Sequence, residues 1–282
     1  MTCVSRSLSY NYVMLITKAS GEKVEFDRKI YEASLQRVGL TVEEARQIGN
    51  EIYQDLHSEI STEKILEKTQ KVLKRKNQSI AIKYGLKKAI MRLGPAGYYF
   101  EKYMSAVLSA YGYKTKYNQF IYGRCVQHEV DIIAERDREK FMIECKYHTN
   151  PGRKSDLKVA LYTYARFLDL KDKHNFKEPV LMTNTLCTTE AIRYAKCMGM
   201  KIIGWHYPAR GESLEHYIES KKLYPVSILG SVNNQINKKF RDGNLFLALD
   251  LLKYTPKRLA KKFHLKEHQA VRLIKEAQIL QS

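Results

Sequence analysis

The stretch of sequence that decides the fold is QHEVDIIAERDREKFMIECKY, residues 127–147. Two apolar runs, Val130 to Ala134 and Phe141 to Tyr147, lie on either side of the polar segment from Glu135 to Glu139. Short apolar runs separated by a polar turn are typical of an antiparallel hairpin. The sequence therefore predicts two neighbouring β-strands at its centre.

Three charged residues, Asp131, Glu144 and Lys146, lie inside these two runs. Because side chains alternate along a strand, Glu144 and Lys146 project from one face with Cα atoms about 6.6 Å apart, and Cys145 points to the other face. A carboxylate in apolar surroundings costs free energy unless a cation neutralises it. A site that hydrolyses phosphodiesters would use two carboxylates, Asp131 and Glu144, to hold Mg²⁺ or Mn²⁺, and the Lys146 ammonium to orient water or stabilise developing charge. A simpler alternative is an ion pair between Glu144 and Lys146 on an edge strand, with Asp131 exposed at its end.

The segment from 96 to 210 continues with helices and further strands around this hairpin. In chain order, the apolar spacing predicts a helix from Phe100 to Tyr111, a strand from Tyr113 to Tyr122, the hairpin, a helix from Leu157 to Leu168, a strand from Pro179 to Thr183, a helix from Thr189 to Cys197, and a strand from Met200 to Trp205. The order α-β-β-β-α-β-α-β is typical of a mixed sheet with flanking helices.

Glu101 lies on the helix before the first of these strands, so a Glu, a strand, an Asp, a hairpin and a Glu-x-Lys follow one another in that order. Residues 96–207 resemble the PD-(D/E)XK nuclease superfamily, particularly Mrr-like restriction endonuclease domains, with Val130 in place of the motif's Pro, which many members also lack. The resemblance implies a metal-dependent endodeoxyribonuclease, of restriction or repair type. Its implied catalytic residues are Asp131, Glu144, Lys146 and Glu101, with Asp131 and Glu144 as the metal ligands.

The same resemblance implies that the helix after the third strand supplies a polar residue to the site. Asp156, Lys158 and Tyr162 are the candidates on that helix. His128 lies just before the strand of Asp131, where an ordinary strand-end histidine is a simpler interpretation than a ligand or base.

Residues 1–95 predict a small hairpin packed on helices. The hairpin runs from Val13 to Lys18 and from Lys23 to Phe26 around a Ser20-Gly21 turn. Three helices are expected to begin after the N-cap residues Asp27, Thr41 and Ser61.

This first segment resembles the ATP-cone module over about residues 12–93. The resemblance rests on Thr17-Lys18, Gly21, Phe26-Asp27, Lys29-Ile30 and Ser61-Thr62. It implies that ATP or dATP binds as an effector, with phosphate contacts from Lys18, Lys29 and Thr62. No G-x-x-x-x-G-K-[ST] motif occurs, so the sequence does not predict an ATP-hydrolysing motor.

Residues 211–282 are predicted to be all-helical and to end in two short helices, Pro256 to Phe263 and Glu267 to Leu280. The pair resembles a helix-hairpin-helix or helix-turn-helix element that grips a DNA backbone. Its basic residues are Lys257, Arg258, Lys261 and Lys262, which would contact phosphates. A solvated helix face explains the same charges.

Composition agrees with a folded, multidomain protein that binds a polyanion. The chain has 282 residues, 44% of them hydrophobic, which suggests two or three domains. Its 49 Lys and Arg exceed its 30 Asp and Glu and give a net charge of +19, which favours nucleic acid as partner. Five cysteines without a C-x-x-C pair argue against a disulfide framework and a structural zinc site. No run approaches the roughly 20 apolar residues of a membrane span and no export signal is evident, so we expect a cytoplasmic protein.

Together these patterns predict a multidomain α+β protein. Its expected parts are an ATP-cone-like domain at 1–95, a restriction-endonuclease-like mixed sheet at 96–210 and a helical DNA-binding or dimerisation module at 211–282. The predicted function is Mg²⁺-dependent endonucleolytic cleavage of DNA, modulated by an adenine nucleotide, with a homodimer for duplex cleavage. The alternative is a nucleotide-responsive DNA-binding regulator whose nuclease fold is catalytically silent.

Overall fold

A small α+β unit forms the first part of the chain. The computed structural model describes residues 14–281, so Cys3 and the predicted start of the hairpin at Val13 lie outside the described part. The elements are β1 Leu15–Thr17, β2 Lys23–Glu25, α1 Arg28–Arg37, α2 Val42–Gln54, β3 Ile60–Ser61, α3 Thr62–Lys76, α4 Gln78–Lys83 and α5 Leu86–Ile90. The strands form a sheet in the order β2-β1-β3, in which β3 runs parallel to β1. The hairpin is confirmed, whereas the two-residue β3 is too short to leave a period in the sequence.

The three predicted helix starts are confirmed by their caps. The Asp27 side chain accepts a hydrogen bond from the Ile30 amide, and the Ser61 side chain accepts one from Lys64. Thr41 forms a capping box, since its side chain and that of Glu44 each accept the other's backbone N–H. The helices enclose a core of their own, in which Leu35, Ala45 and Ile48 are fully buried.

The central part of the chain is a five-stranded mixed sheet with helices on both sides. Its elements are α6 Gly97–Ala110, β4 Lys114–Tyr122, β5 Gln127–Arg136, β6 Glu139–Lys146, β7 Lys154–Ser155, α7 Leu157–His174, β8 Phe176–Thr183, β9 Leu186–Cys187, α8 Thr189–Cys197 and β10 Lys201–Ile203. The sheet order is β10-β8-β6-β5-β4, antiparallel among β4, β5 and β6 and parallel among β6, β8 and β10. The predicted mixed sheet is confirmed, and the short pair β7 and β9, which was not predicted, lies beside it.

The hairpin between β5 and β6 is tighter than the sequence indicated. The strands extend to Arg136 and from Glu139, so only Asp137 and Arg138 of the predicted polar turn form the loop. Both loop residues have positive φ, 55° and 66°, as a two-residue type I′ turn requires. This turn fixes the register of the two strands and therefore determines which residues meet at their other end.

The last part of the chain is helical, as predicted. Its helices are α9 Leu214–Glu219, α10 Asn234–Asp242, α11 Pro256–Phe263 and α12 Glu267–Gln281, with 3-10 turns at Val226–Ile228 and Ala248–Lys253. Their buried residues belong to one continuous core with α5, α6 and the sheet, from Leu86 to Leu280. The helices therefore pack onto the central sheet unit instead of forming a separate core. None of the helices within residues 14–281 is long and apolar enough to cross a membrane.

Candidate active site

Asp131 lies where the ladder between β5 and β6 ends. Paired residues run from Arg136 and Glu139 to Ile132 and Ile143, and Asp131 and Glu144 come next on the two strands. There the Asp131 carboxylate, through Oδ2, accepts a hydrogen bond from the backbone N–H of Cys145 at 2.7 Å. The Asp131 carboxylate thus accepts the N–H that a backbone carbonyl of β5 would accept if the ladder continued. This hydrogen bond holds the carboxylate beside Glu144. The Cys145 side chain is buried in the core on the opposite side, as strand alternation predicts.

Glu144 forms an ion pair with Arg166, a residue of α7. The side chains of Glu144 and Arg166 are 14% and 9% exposed, and Nη1 of Arg166 donates to Oε2 of Glu144. The guanidinium also lies over the ring of Tyr162, 4.7 Å from its centroid. Its Nε is buried and has no hydrogen-bond partner among the residues described. A buried arginine with spare donors is available to a further acceptor.

Glu101 approaches the same place from the first turns of α6. Gly97 lies close to both the Glu101 carboxylate and Tyr147, the residue that follows β6. A Cβ atom built on Gly97 would be 3.7 Å from Oε1 of Glu101 and 3.9 Å from Cβ of Tyr147, so the carboxylate lies beside the end of β6. Burial and the negative charges of Asp131, Glu129 and Glu144 raise the pKa of Glu101 to about 7. No ion pair of Glu101 occurs in the part of the chain that the structure describes.

We call Glu101, Glu129, Asp131 and Glu144 the carboxylate cluster. Burial, followed by the charge of Asp131, raises the pKa of Glu144 to about 7 although Arg166 opposes the shift. Burial likewise raises the pKa of Asp131 against the hydrogen bond from Cys145 and the charge of Arg166. Acidic groups whose pKa values rise together repel one another in their ionised forms. The cluster therefore carries more negative charge than its protein surroundings neutralise.

Lys146 lies at the exposed mouth of the cluster. Its charge lowers the pKa of both Asp131 and Glu144, which shows that the ammonium is near them, yet it forms no ion pair with any residue of the described range. The simpler alternative of an edge-strand pair between Glu144 and Lys146 is wrong on two counts. Glu144 pairs with Arg166, and β6 is the middle strand of the sheet. The structure thus brings the predicted Glu101, Asp131, Glu144 and Lys146 to one end of β5 and β6.

The donor set fits a hard divalent cation. Within residues 14–281 no group of three or more His, Cys, Asp or Glu side chains is arranged as a ready-made metal-binding cage. Mg²⁺, however, is commonly held by one or two carboxylates, with water and substrate phosphate completing its shell. The neighbouring carboxylates Asp131 and Glu144, whose pKa values remain raised despite the charges of Arg166 and Lys146, match that pattern.

Two charged residues near the site escaped the sequence analysis as site residues. Arg166 lies among the buried residues Thr163, Phe167 and Leu170 of α7. A buried charge needs a partner, so an arginine on this apolar face of the helix could have indicated an acidic residue opposite it. Glu129 is exposed and joins the cluster through its charge alone.

The three polar residues predicted on this helix have other positions. Asp156 is the N-cap of α7, where its side chain accepts a hydrogen bond from the Val159 amide. Lys158 is exposed, and Tyr162 contacts the cluster only through Arg166.

His128 lies near the start of β5, lines a cavity with Arg166 and Asp169, and helps to hold a loop in place. Its Nε2 is 2.8 Å from Oδ2 of Asp169 on α7. Asp169 also accepts the amide N–H groups of Cys125 and Val126, and the hydrogen bond with His128, followed by these two, keeps the pKa of its carboxyl well below its usual range. His128 therefore anchors the turn between β4 and β5, as the ordinary interpretation held.

The three residues predicted to bind a nucleotide are not gathered at one point. Lys18 pairs with Glu22 at 3.0 Å on the surface, and Lys29 is exposed at the start of α1. Thr62 lines a cavity of about 480 Å³ between the first α+β unit and the central sheet unit, which we call the interdomain cavity. Lys29 does not line it, whereas Arg37, at the far end of the same helix, does.

Replacing Glu101 with Gln should stabilise the metal-free protein. At pH 8, above its pKa of about 7, the wild-type carboxylate is ionised against the repulsion of its neighbours, so its removal should add about 1 kcal/mol after solvent screening, or about 2–4 °C in Tm. At pH 4, below the ordinary pKa of 4.5, the carboxyl is protonated in both the folded and the unfolded chain and the two proteins should unfold alike. Thermal unfolding in EDTA at both pH values measures this, and a Tm at pH 8 below that of wild type would contradict it.

Comparison with family models matches residues 95–207 to the family Mrr_cat, described as restriction endonuclease. The matched region contains the whole carboxylate cluster and Lys146. The predicted resemblance of this segment to Mrr-like restriction endonuclease domains is thereby confirmed, whereas the ATP-cone resemblance of the first segment stays a prediction.

Relatives and solved structures match a larger part of the chain. An uncharacterized protein of Archaeoglobus fulgidus is 46% identical over 143 residues, which are 51% of this chain and 80% of the relative. The crystal structure of a protein of unknown function, AF1548, has a TM-score of 0.58 and 38% identity, and covers 66% of this chain and 100% of its own. A structure of Can2 from Sulfobacillus thermosulfidooxidans in complex with cyclic tetra-adenylate covers 70% of this chain and 63% of its own, with 12% identity and a TM-score of 0.33, too low for any inference.

Proposed function

Since the chain belongs to the same family as the uncharacterized Archaeoglobus fulgidus protein and carries a restriction endonuclease domain at residues 95–207, we propose that it is a Mg²⁺-dependent DNA endonuclease. The observation that supports this most is the carboxylate cluster. Asp131 and Glu144 lie side by side with raised pKa values, so a divalent cation would relieve their repulsion.

Each charged group then has a defined task. A bound divalent ion would polarise the scissile phosphate and acidify an attacking water. Asp131, fixed by the Cys145 amide, and Glu144 would hold that ion, and Glu101, whose pKa is about 7, would accept a proton from water. Lys146, exposed at the mouth, donates to the phosphate oxygen on which charge develops.

Incubation of the purified protein with plasmid and linear DNA tests this function. We expect nicked and linear products in Mg²⁺ or Mn²⁺ and none in EDTA. A protein that binds DNA but leaves every strand intact in both metals would be the catalytically silent regulator instead. A homodimer, expected for duplex cleavage, is measured by sedimentation with and without DNA.

DNA contacts away from the cleft are part of the same proposal. Lys257, Arg258, Lys261 and Lys262 on α11 are all exposed, which suits phosphate binding. Phosphate contacts release counterions, so DNA affinity should fall steeply with salt, and removing two of these charges should reduce that slope by about two.

Modulation by ATP or dATP is the regulatory part of the proposal, and the interdomain cavity supports it. Arg37, Lys83 and Lys87 line the cavity, and none of them forms an ion pair within the described chain. Lys87 lies 4.5 Å from the centroid of the Trp205 ring, and burial lowers its pKa to about 7. The same lining contains acidic residues, among them Glu219, whose pKa is raised by burial but lowered by the charges of Lys83 and Arg37. The phosphates of a bound nucleotide would compete with these acids for the cations, and the Trp205 ring offers a face for the purine.

A chain of hydrogen bonds links this cavity to the catalytic strand. Lys87 donates to the carbonyl oxygen of Asn184, whose side-chain amide bonds both the N–H and the C=O of His148, each at 2.8 Å. His148 follows Lys146 by two residues. Occupation of the cavity would therefore act on the end of β6.

Binding of ATP at this cavity should raise the Tm by about 2–4 °C or more at saturation, through preferential binding to the folded state. Replacing Arg37 and Lys83 with Ala should abolish the shift, and Arg75→Ala, an exposed arginine outside the cavity lining, should preserve it. Thermal scans with ATP, dATP and no nucleotide measure the effect. A shift of equal size in the double variant would contradict this site.

A further inference from the structure

The edge of the central sheet carries an exposed row of aromatic side chains. Strand β4 is an outer strand, and Tyr117, Phe120 and Tyr122 on it are 39%, 59% and 64% exposed. Tyr98, 39% exposed, stands against Tyr117 with ring centroids 6.4 Å apart. We call these four residues the aromatic rim. Exposed large apolar groups that lie together mark a contact surface.

The aromatic rim borders the carboxylate cluster. Phe120 is directly opposite Glu129 in the ladder between β4 and β5, so their Cβ atoms are about 5 Å apart on one face. Tyr98 lies one helical turn before Glu101 on α6. A ligand bound on the aromatic rim would therefore extend directly to the carboxylate cluster.

A lysine on α6 preorganises two rings of the rim. Nζ of Lys102 is 4.3 Å from the ring centroid of Tyr98 and 5.5 Å from that of Tyr117, which fixes the two rings relative to each other. Lys114 and Lys116 are exposed on the same strand, but as neighbours of Thr115 and Tyr117 they project from its other face. Two rings with a lysine held against both suit an occupant that is flat and anionic.

Pairing of β4 with a second copy of the chain does not suit this edge. Asn118, with φ of 52°, interrupts the strand between Tyr117 and Phe120, and the imidazole Nε2 of His174 lies 2.9 Å from the carbonyl oxygen of Tyr122. An irregular, partly covered strand with lysines is a poor template for another strand.

We propose that the aromatic rim stacks on unpaired bases and leads a single-stranded segment of DNA to the carboxylate cluster. An intact duplex keeps its base faces inside the stack, whereas a single strand, a flap or a frayed end exposes them. The inference rests on the proposed nuclease function for its consequence, since it names the substrate class of that site.

The experiment measures binding in EDTA, where no cleavage interferes. Fluorescence anisotropy compares the wild type with Phe120→Ala/Tyr122→Ala on a single strand and on a blunt duplex of equal length. We expect at least about tenfold weaker binding to the single strand and little change on the duplex. Phe120→Leu/Tyr122→Leu, which keeps apolar area without stacking rings, should resemble the Ala variant, and Ile30→Ala, at a 67% exposed site on α1, should resemble wild type.

Three results would each overturn the inference. The first is unchanged affinity for the single strand in both double variants, and the second is an equal loss of affinity for the duplex. The third is a lower sedimentation mass of the variants with their single-strand affinity intact. The last result would assign the rim to a second copy of the chain. Failure of the nuclease function is a separate result, since a protein that cleaves nothing can still show rim-dependent binding, and a working nuclease can show none.

Discussion

Lys146→Ala will lower the rate of DNA cleavage by about 10²–10³-fold while leaving the fold intact. Lys146 is exposed and forms no ion pair with a described residue, so its removal takes away no packing and opens no cavity. What is lost is a cation at the mouth of the carboxylate cluster, where charge develops on the phosphate. The measurement is the single-turnover rate in Mg²⁺, with thermal unfolding to check the fold.

Lys196→Ala is the matched control, because it removes an exposed lysine on α8 that belongs to neither the cluster nor the aromatic rim. Its rate should equal that of the wild type. Loss of affinity for DNA without loss of rate at saturation would show instead that Lys146 is only a binding charge. Cleavage by Lys146→Ala at the wild-type rate would refute its catalytic role.

The central hairpin could be predicted because its signals are local. Two apolar runs of strand length on either side of a polar turn predict the hairpin. Alternation along the second strand places Glu144 and Lys146 on one face and Cys145 on the other, and the structure agrees. The cap residues Asp27, Thr41 and Ser61 are local in the same sense, since each side chain bonds an amide within three residues.

Features that depend on distant segments could not be predicted in the same way. The ion pair between Arg166 and Glu144 joins α7 to β6, and a helical pattern does not tell which strand faces it. The interdomain cavity joins Thr62 to Trp205, and the shared core joins Leu86 to Leu280. Such contacts follow from the packing of whole elements, about which the residue pattern of one segment carries no information.

Arg166→Gln should destabilise the metal-free protein by about 3 kcal/mol at pH 8, the usual loss when one partner of a buried ion pair is removed. The guanidinium is 9% exposed and neutralises the Glu144 carboxylate, which would be left buried beside Asp131. Protonation of Glu144 would remove the free-energy cost of this buried, unpaired charge. The pKa of Glu144 is about 7 although Arg166 lowers it, and it should be higher still without the guanidinium, so protonation becomes easier and the loss of stability should shrink as the pH falls from 8 to 6.

Mg²⁺ should restore the stability of Arg166→Gln more than it stabilises the wild type. In the wild type the ion must compete with the guanidinium for Glu144, whereas in the variant it meets an unpaired carboxylate. A ligand at about 100 times its Kd adds roughly 2.7 kcal/mol to the folded state, enough to offset most of the loss. Thermal unfolding of wild type, Arg166→Gln and the charge-keeping control Arg166→Lys, in EDTA and in saturating Mg²⁺ at both pH values, measures the difference. Equal Mg²⁺ shifts in all three proteins would mean that the ion does not bind at Glu144, and the metal site assigned to Asp131 and Glu144 would have to be abandoned.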